Sequence, residues 1–251
     1  MNFKSIIIEK KDGVATVTLN RPEALNSLNE QVFSDLLAAF EDISKDDSVG
    51  VVVLTGAGRA FSAGRDIKAL RAGGAGATAD VSKMARKLIA AMENLPKPVI
   101  GAINGYCLTG GLELAIACDI IIASENAVFG DTHSKWGLRP LWGGSQRLPR
   151  IVGEKRAKEL AFTADMLSAR DAERIGLANK VVPASKLEEA ARELAEKILK
   201  NSRGSIAAYK YLINEGLKLD FESGLKLEAE SDIPIPDSQE RLTSFGKEKR
   251  S

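Results

Sequence analysis

The sequence predicts an α/β fold in which short buried strands alternate with helices and a mainly helical region closes the chain. Three observations predict it. Apolar runs rich in Val and Ile, V-G-V-V-V-L-T (49–55), V-I-G-A-I (99–103) and D-I-I-I-A-S (119–124), have the length and composition of buried strands. Glycine-marked loops follow the strands before helical periodicity resumes, the order expected of α/β architecture. After Gly143 the pattern is mostly helical, with one further short strand in N-K-V-V-P (179–183).

Residues 5–20 read as a hairpin. Asp12-Gly13 supplies the turn, and Val14, Thr16 and Thr18 alternate with Ala15, Val17 and Leu19. Arg21-Pro22 ends it. Asn29 can cap a helix whose apolar face is Val32, Phe33, Leu36, Leu37, Phe40 and Ile43. The strand at 49–55 runs into a glycine-containing loop, and R-A-G-G-A-G-A-T-A-D (71–80) reads as a mobile surface loop of small residues. An amphipathic helix follows, with Met84, Leu88, Ala91, Met92 and Leu95 on one face. Residues 99–119 read as a buried strand, a Gly110-Gly111 hinge and a short apolar helix over 112–118. From Ala184 onward only helices are expected. A boundary near 195 divides a core domain, 1–195, from a helical C-terminal region, 196–251. That tail is too amphipathic to be an independent core, so it packs on its own domain or on a neighbouring subunit.

Composition narrows the function classes. The 251 residues, 44% of them hydrophobic, suffice for a sizeable core. Lys plus Arg number 35 against 34 Asp plus Glu, so no basic excess points to nucleic acid. The opening M-N-F-K-S-I-I-I-E-K has three consecutive apolar residues before charge returns, which predicts neither a signal peptide nor a membrane span. Cys107 and Cys118 lie in apolar surroundings, as in a reduced, intracellular protein, and a cytoplasmic location is expected. With no C-x-x-C pair and a single histidine, no metal site is expected.

Three constellations could carry chemistry. Glu113 sits in the first turn of an otherwise apolar helix, among Leu112, Leu114, Ala115 and Ile116. A carboxylate there is either paired with a basic partner or used. The helix start adds free backbone N–H groups. In R-A-F-S-A-G-R-D-I-K (59–68) a strand ends in a glycine turn whose amides can receive a developing negative oxygen, although strand–Gly–helix junctions are also common scaffolding. His133, the only imidazole, follows a short strand in F-G-D-T-H (129–133), near Asp131 and Thr132; both a structural and an active-site role fit it.

Taken together, N-R-P-E-A-L-N-S-L (20–28), F-S-A-G-R-D-I-K (61–68), N-G-Y-C-L-T-G-G-L-E-L-A-I-A-C-D (104–119), F-G-D-T-H (129–133) and G-G-S-Q-R-L-P-R (143–150) resemble the enoyl-CoA hydratase/isomerase (crotonase) superfamily. The resemblance covers nearly the whole chain, in order. It implies a spiral of ββα units with a helical C-terminal region that builds homotrimers or homohexamers. It implies acyl-CoA substrates, with coenzyme A carried by the substrate and no other cofactor; the balanced charge and the lack of a long apolar run, not the resemblance, leave no nucleic-acid or membrane partner expected.

By the same resemblance, the backbone N–H groups of Arg65 and Gly110 form an oxyanion hole for the thioester oxygen. Arg59, Ala63, Arg65, Asp66, Ile67, Lys68 and Gly110 contact substrate or its CoA, with residues 63–68 as a loop. For Arg59 and Lys68 an ordinary solvated surface role is the alternative. Phe245 with Lys247 or Lys249 resembles the family's C-terminal CoA contact, and Trp136 and Trp142 flank the site as pocket or core aromatics. In the hydratases two glutamates hold the water and move its proton. Glu113 falls on the first; the second falls twenty positions later, where this chain has His133. The departure leaves Glu113 as the principal acid/base and His133 as a group that holds the water. Family isomerases typically keep a carboxylate at the second position, so the expected activity is hydration of a 2-enoyl-CoA, a lyase reaction of fatty-acid metabolism. Another acyl-CoA activity on this scaffold (thioester hydrolase, ring-acting hydratase or isomerase) and a non-catalytic CoA-binding protein are the alternatives.

Overall fold

The hairpin forms where the turn chemistry puts it. Strands β1 (Ile6–Lys11) and β2 (Val14–Leu19) pair antiparallel around Asp12 and Gly13, whose φ values of 50° and 82° suit the right-handed twist of a two-residue hairpin. The computed structural model describes residues 3–245, the side chains of 69–78 excepted. Asn29 caps α1 (Glu30–Lys45) by accepting the Val32 N–H, and the predicted apolar face of α1 is turned inward.

From there the chain winds between two sheets. Strands β3 (Val51–Gly56), β5 (Val99–Ile103), β7 (Ile120–Ser124) and β10 (Lys180–Val182) extend the hairpin into a six-stranded sheet ordered β1-β2-β3-β5-β7-β10. Strands β4 (Ala60–Ser62), β6 (Tyr106–Leu108), β8 (Val128–Gly130) and β9 (Leu167–Ser168) form a second sheet in that order. Each turn deposits one strand in the first sheet, one in the second and then a helix: β3-β4-α2 (Ile67–Asn94), then β5-β6-α3 (Gly110–Ala115). This is the expected spiral of ββα units. Parallel pairing of β2 with β3, β5 with β7, and β6 with β8 follows from that winding.

The unbroken apolar run of β3 is explained by burial on both faces. Val52 and Leu54 face the main core with Phe33, Phe61 and Phe129, whereas Val51 and Val53 face α7 (Leu187–Leu199) through Leu187, Ala190, Ala191 and Ala195. The remaining helices are α4 (Gly144–Val152), α5 (Glu154–Thr163), α6 (Ala169–Arg174), α8 (Arg203–Gly216), α9 (Phe221–Glu230) and α10 (Ser238–Ser244).

Four expectations need correction. Residues 71–80 lie within α2, not in a loop; four of those ten residues are alanine, the best helix former, and both flanks are helical, which outweighs the three glycines. The segment 99–108 is two strands in different sheets, β5 and β6, with the chain crossing between them at Asn104-Gly105. A Cβ at Gly105 would meet the Arg59 carbonyl oxygen at 2.1 Å, so the crossing requires glycine. Gly110 and Gly111 are not a hinge but the first two residues of α3. Ile67 and Lys68 open α2, so only residues 63–66 of the expected substrate loop are non-helical.

Position 195 falls inside α7, whose Ala195 is fully buried against the sheet; the chain leaves the core only after Leu199. The helices beyond it are anchored by Lys210. Its ammonium donates to Asp119 (2.7 Å), to the Met92 carbonyl (2.9 Å) and to the Lys97 carbonyl (3.1 Å). Burial pushes the Asp119 carboxyl up, and Lys210 opposes that rise.

Candidate active site

Glu113 owes its position to the start of α3. Thr109 before the helix holds a φ of 45°, turning the chain sharply out of β6, and Glu113 lies in the first helical turn with 4% of its surface exposed. No Lys or Arg pairs with it among the described residues. Oε1 accepts two backbone N–H groups, those of Trp142 and Gly144, each at 2.9 Å. These donors lie at and just before the start of α4, where amides are free and the helix dipole favours negative charge. A Cβ at Gly144 would lie 3.0 Å from the Glu113 Cγ, so a side chain there would crowd the carboxylate.

The segment that holds Glu113 is itself fixed from behind. Arg147 forms a two-pronged ion pair with Glu93 (2.5 and 2.7 Å) and donates to the Trp142 carbonyl at 3.1 Å. The Trp142 ring stands edge-on to Phe33 of α1, with centroids 5.2 Å apart.

His133 follows the end of β8 and is 8% exposed. Its Nδ1 lies 2.5 Å from Asp131 Oδ1, and its Nε2 lies 3.5 Å from Glu113 Oε2. Burial pushes the imidazole pKa down most strongly, but the hydrogen bonds and charges of Asp131 and Glu113 together outweigh it and lift the value from 6.5 to about 9. A raised folded-state pKa means that the charged imidazole stabilises the fold fully below about 6.5, and that this contribution is lost as pH climbs through about 9. The melting temperature is therefore expected to fall between neutral pH and about pH 10, with a shallower fall in His133→Gln. Equal slopes in thermal melts of the two proteins would contradict the coupling.

Two backbone amides near this pair have no acceptor among the described residues. Leu28 donates to the Gly64 carbonyl (2.8 Å) and accepts from the Asp66 N–H (3.0 Å), so the Arg65 N–H between them is directed away. Gly110, first in α3, has the free N–H of any helix start. The two peptides are neighbours: a Cβ at Gly64 would lie 3.0 Å from the Gly110 nitrogen.

A cavity of about 210 Å³ joins these groups; Glu113, His133, Arg65, Gly110, Ala63 and Ile67 line it. Three of the expected site residues lie outside that lining. Arg59 and Lys68 are exposed, and the Asp66 carboxylate is engaged by Arg21 at 3.2 Å and by the Ser27 hydroxyl, also at 3.2 Å. Phe245 is exposed, and Lys247 and Lys249 lie outside the described residues. Trp136 and Trp142 both line the cavity. Sequence reading missed the amides of Trp142 and Gly144, which no side chain advertises, and Arg139, which also lines the cavity. It noted Asp131 beside His133 without giving it a part.

A ββα spiral that brings a buried carboxylate–imidazole pair to one cavity with two unengaged amides defines a class: enzymes built on the crotonase fold. The family model for enoyl-CoA hydratase/isomerase matches residues 9–251. A probable peroxisomal enoyl-CoA hydratase 1 of Arabidopsis thaliana is 44% identical over 229 residues, 90% of this chain and 85% of the plant protein. A short-chain-enoyl-CoA hydratase of Clostridium acetobutylicum is 40% identical over 249 residues, covering 98% and 95%. The crystal structure of an enoyl-CoA hydratase from Bacillus anthracis superposes with a TM-score of 0.93 at 39% identity, covering 98% and 97% of the two chains. The chain belongs to the enoyl-CoA hydratase/isomerase family.

Proposed function

We propose that the protein is an enoyl-CoA hydratase, adding water syn across the double bond of a 2-enoyl-CoA thioester. One observation supports this most: Glu113 Oε2 and His133 Nε2 stand 3.5 Å apart on a cavity that also takes in the Arg65 and Gly110 amides. The thioester oxygen accepts from those two N–H groups, which stabilise it as it becomes enolate-like. Water held between Glu113 and His133 gives its proton to the Glu113 carboxylate as its oxygen attacks Cβ. The Trp142 and Gly144 amides occupy Oε1, which directs Oε2 to the water. The chemistry draws only on these groups and on the CoA that the substrate carries.

Residues 63–68 meet the CoA moiety in this reading, with the exposed Arg59 and Lys68 available to its phosphates. Asp66, tied to Arg21, holds the loop in shape. The exposed apolar side chains Tyr209, Tyr211, Ile213, Leu217 and Phe221 on α8, α9 and their connection supply a subunit interface, consistent with a homotrimer or a dimer of trimers. The free thiols Cys107 and Cys118, both held in the thiol form by burial, suit a reducing compartment such as the cytoplasm.

The test is incubation with crotonyl-CoA. Loss of the conjugated enoyl absorbance without release of free thiol is expected. Thiol release would identify a thioesterase, and no turnover of short, medium or aromatic enoyl-CoAs would sink the reading.

A further inference from the structure

Hydration needs two proton transfers, one from the water oxygen and one to Cα, and His133 has a partner that bears on the second. We infer that Asp131 is a positioning residue that keeps His133 doubly protonated, so that His133 Nε2–H, not Glu113, delivers the proton to Cα. This rests on the hydratase reading and assigns the two transfers within it.

The geometry carries the argument. His133 Nδ1 is within 2.5 Å of one carboxylate oxygen, Asp131 Oδ1, and Nε2 is within 3.5 Å of another, Glu113 Oε2. A carboxylate oxygen only accepts, so each contact is favourable when the facing ring nitrogen bears a hydrogen. Both nitrogens bear one only in the imidazolium. A neutral ring with Nδ1–H on Asp131 would turn the Nε2 lone pair toward Glu113, which is tolerable only if Glu113 itself carries the proton. The pair therefore shares one proton between two arrangements, imidazolium–carboxylate and imidazole–carboxylic acid. Asp131 favours the first, since its charge faces the ring from the opposite side. Burial opposes it, yet the ring is lifted to about 9. The other charged groups on the cavity are Arg65, just before α2, and Arg139, in the loop before α4; both are cations and neither favours a second positive charge.

The proton balance closes. At the outset Glu113 is a carboxylate and His133 an imidazolium. Glu113 takes a proton from water while the water oxygen bonds to Cβ and the π electrons move to the thioester oxygen. The enolate then collapses, and Cα takes the Nε2 proton of His133. Glu113 is left protonated and His133 neutral, and transfer of that proton from Oε2 to Nε2 restores the starting state. Two groups of different chemistry thus carry the two protons. Asp131 neither gives nor takes a proton in this sequence.

Because His133 is the only histidine in the chain, its ring can be followed without ambiguity by NMR of 15N-histidine-labelled protein. In the wild type the ring is expected to titrate near 9, and in Asp131→Asn to move down toward its ordinary 6.5. The alkaline limb of kcat is expected to move down with it, whereas KM for crotonyl-CoA stays nearly constant. Asp131→Glu, which keeps the charge, is expected to recover much of the wild-type limb. A wild-type ring that titrates at or below 6.5, or an alkaline limb unmoved in Asp131→Asn, would overturn the assignment. The titration needs no turnover. Absence of hydration with a ring still titrating near 9 would therefore refute the reaction and leave the Asp131–His133 pairing standing.

Discussion

Replacing Glu113 by glutamine is expected to lower kcat for crotonyl-CoA hydration roughly a thousandfold, the middle of the range for loss of a general base. The substitution is nearly isosteric. Its carbonyl can still accept the Trp142 and Gly144 N–H groups, so the loop before α4 stays in place. What is lost is the proton acceptor. The new amide NH2 also faces the His133 ring, where a donor meets a donor. KM is expected to change little, because the Arg65 and Gly110 amides and the residues proposed to meet CoA are untouched. A variant that keeps the full rate would remove Glu113 from the chemistry.

The second large effect is expected at Gly64, which no substrate atom need touch. Its φ of 90° disfavours any side chain, and a Cβ would lie 2.0 Å from Thr109 Oγ1 and 2.7 Å from the Leu108 carbonyl oxygen. Alanine there forces apart the two peptides that present the Arg65 and Gly110 amides. Gly64→Ala is expected to cost about a hundredfold in kcat through lost oxyanion stabilisation, together with about 1–3 kcal/mol of stability. Gly137→Ala is the control. Gly137 also has a positive φ, of 64°, but a Cβ there would meet nothing within 4 Å. Backbone strain without loss of rate is expected at Gly137; similar kcat losses in both variants, measured on folded protein, would show that the amide spacing is not what matters.

Much of the fold was legible because local chemistry and global architecture agree. Asp12-Gly13 has the turn residues of a tight hairpin, Asn29 caps where a cap was expected, and the strand-helix alternation was visible in the apolar runs. The misreadings have physical causes. Residues 71–80 combine glycine with alanine, and composition alone does not say which prevails when helix flanks both sides. The apolar run from 99 to 108 gives no hint that it changes sheets, since strands in both sheets are buried and both therefore read as apolar.

In the site, Glu113 stood out as a charge in an apolar helix and His133 as the lone imidazole. The groups that hold Glu113 were hidden for a different reason. They are backbone amides 29 and 31 residues away, and every residue but proline has one. The Gly143-Gly144 pair was the available clue, because glycine is what lets a main chain approach a carboxylate closely.

That backbone cradle has a consequence for how the working state of the enzyme can be watched. The N–H hydrogens of Trp142 and Gly144 are buried and bonded to one carboxylate oxygen, so they trade with deuterium in the solvent only when Glu113 releases them. The segment that carries these amides is in turn backed by Phe33 against the Trp142 ring and by Glu93 through Arg147, contacts that belong to α1 and α2. Opening by movement of that segment would therefore also loosen its contacts with α1 and α2. The exchange of these two hydrogens becomes a clock for the fraction of molecules whose Glu113 cradle is momentarily open, readable in the resting protein with no substrate present.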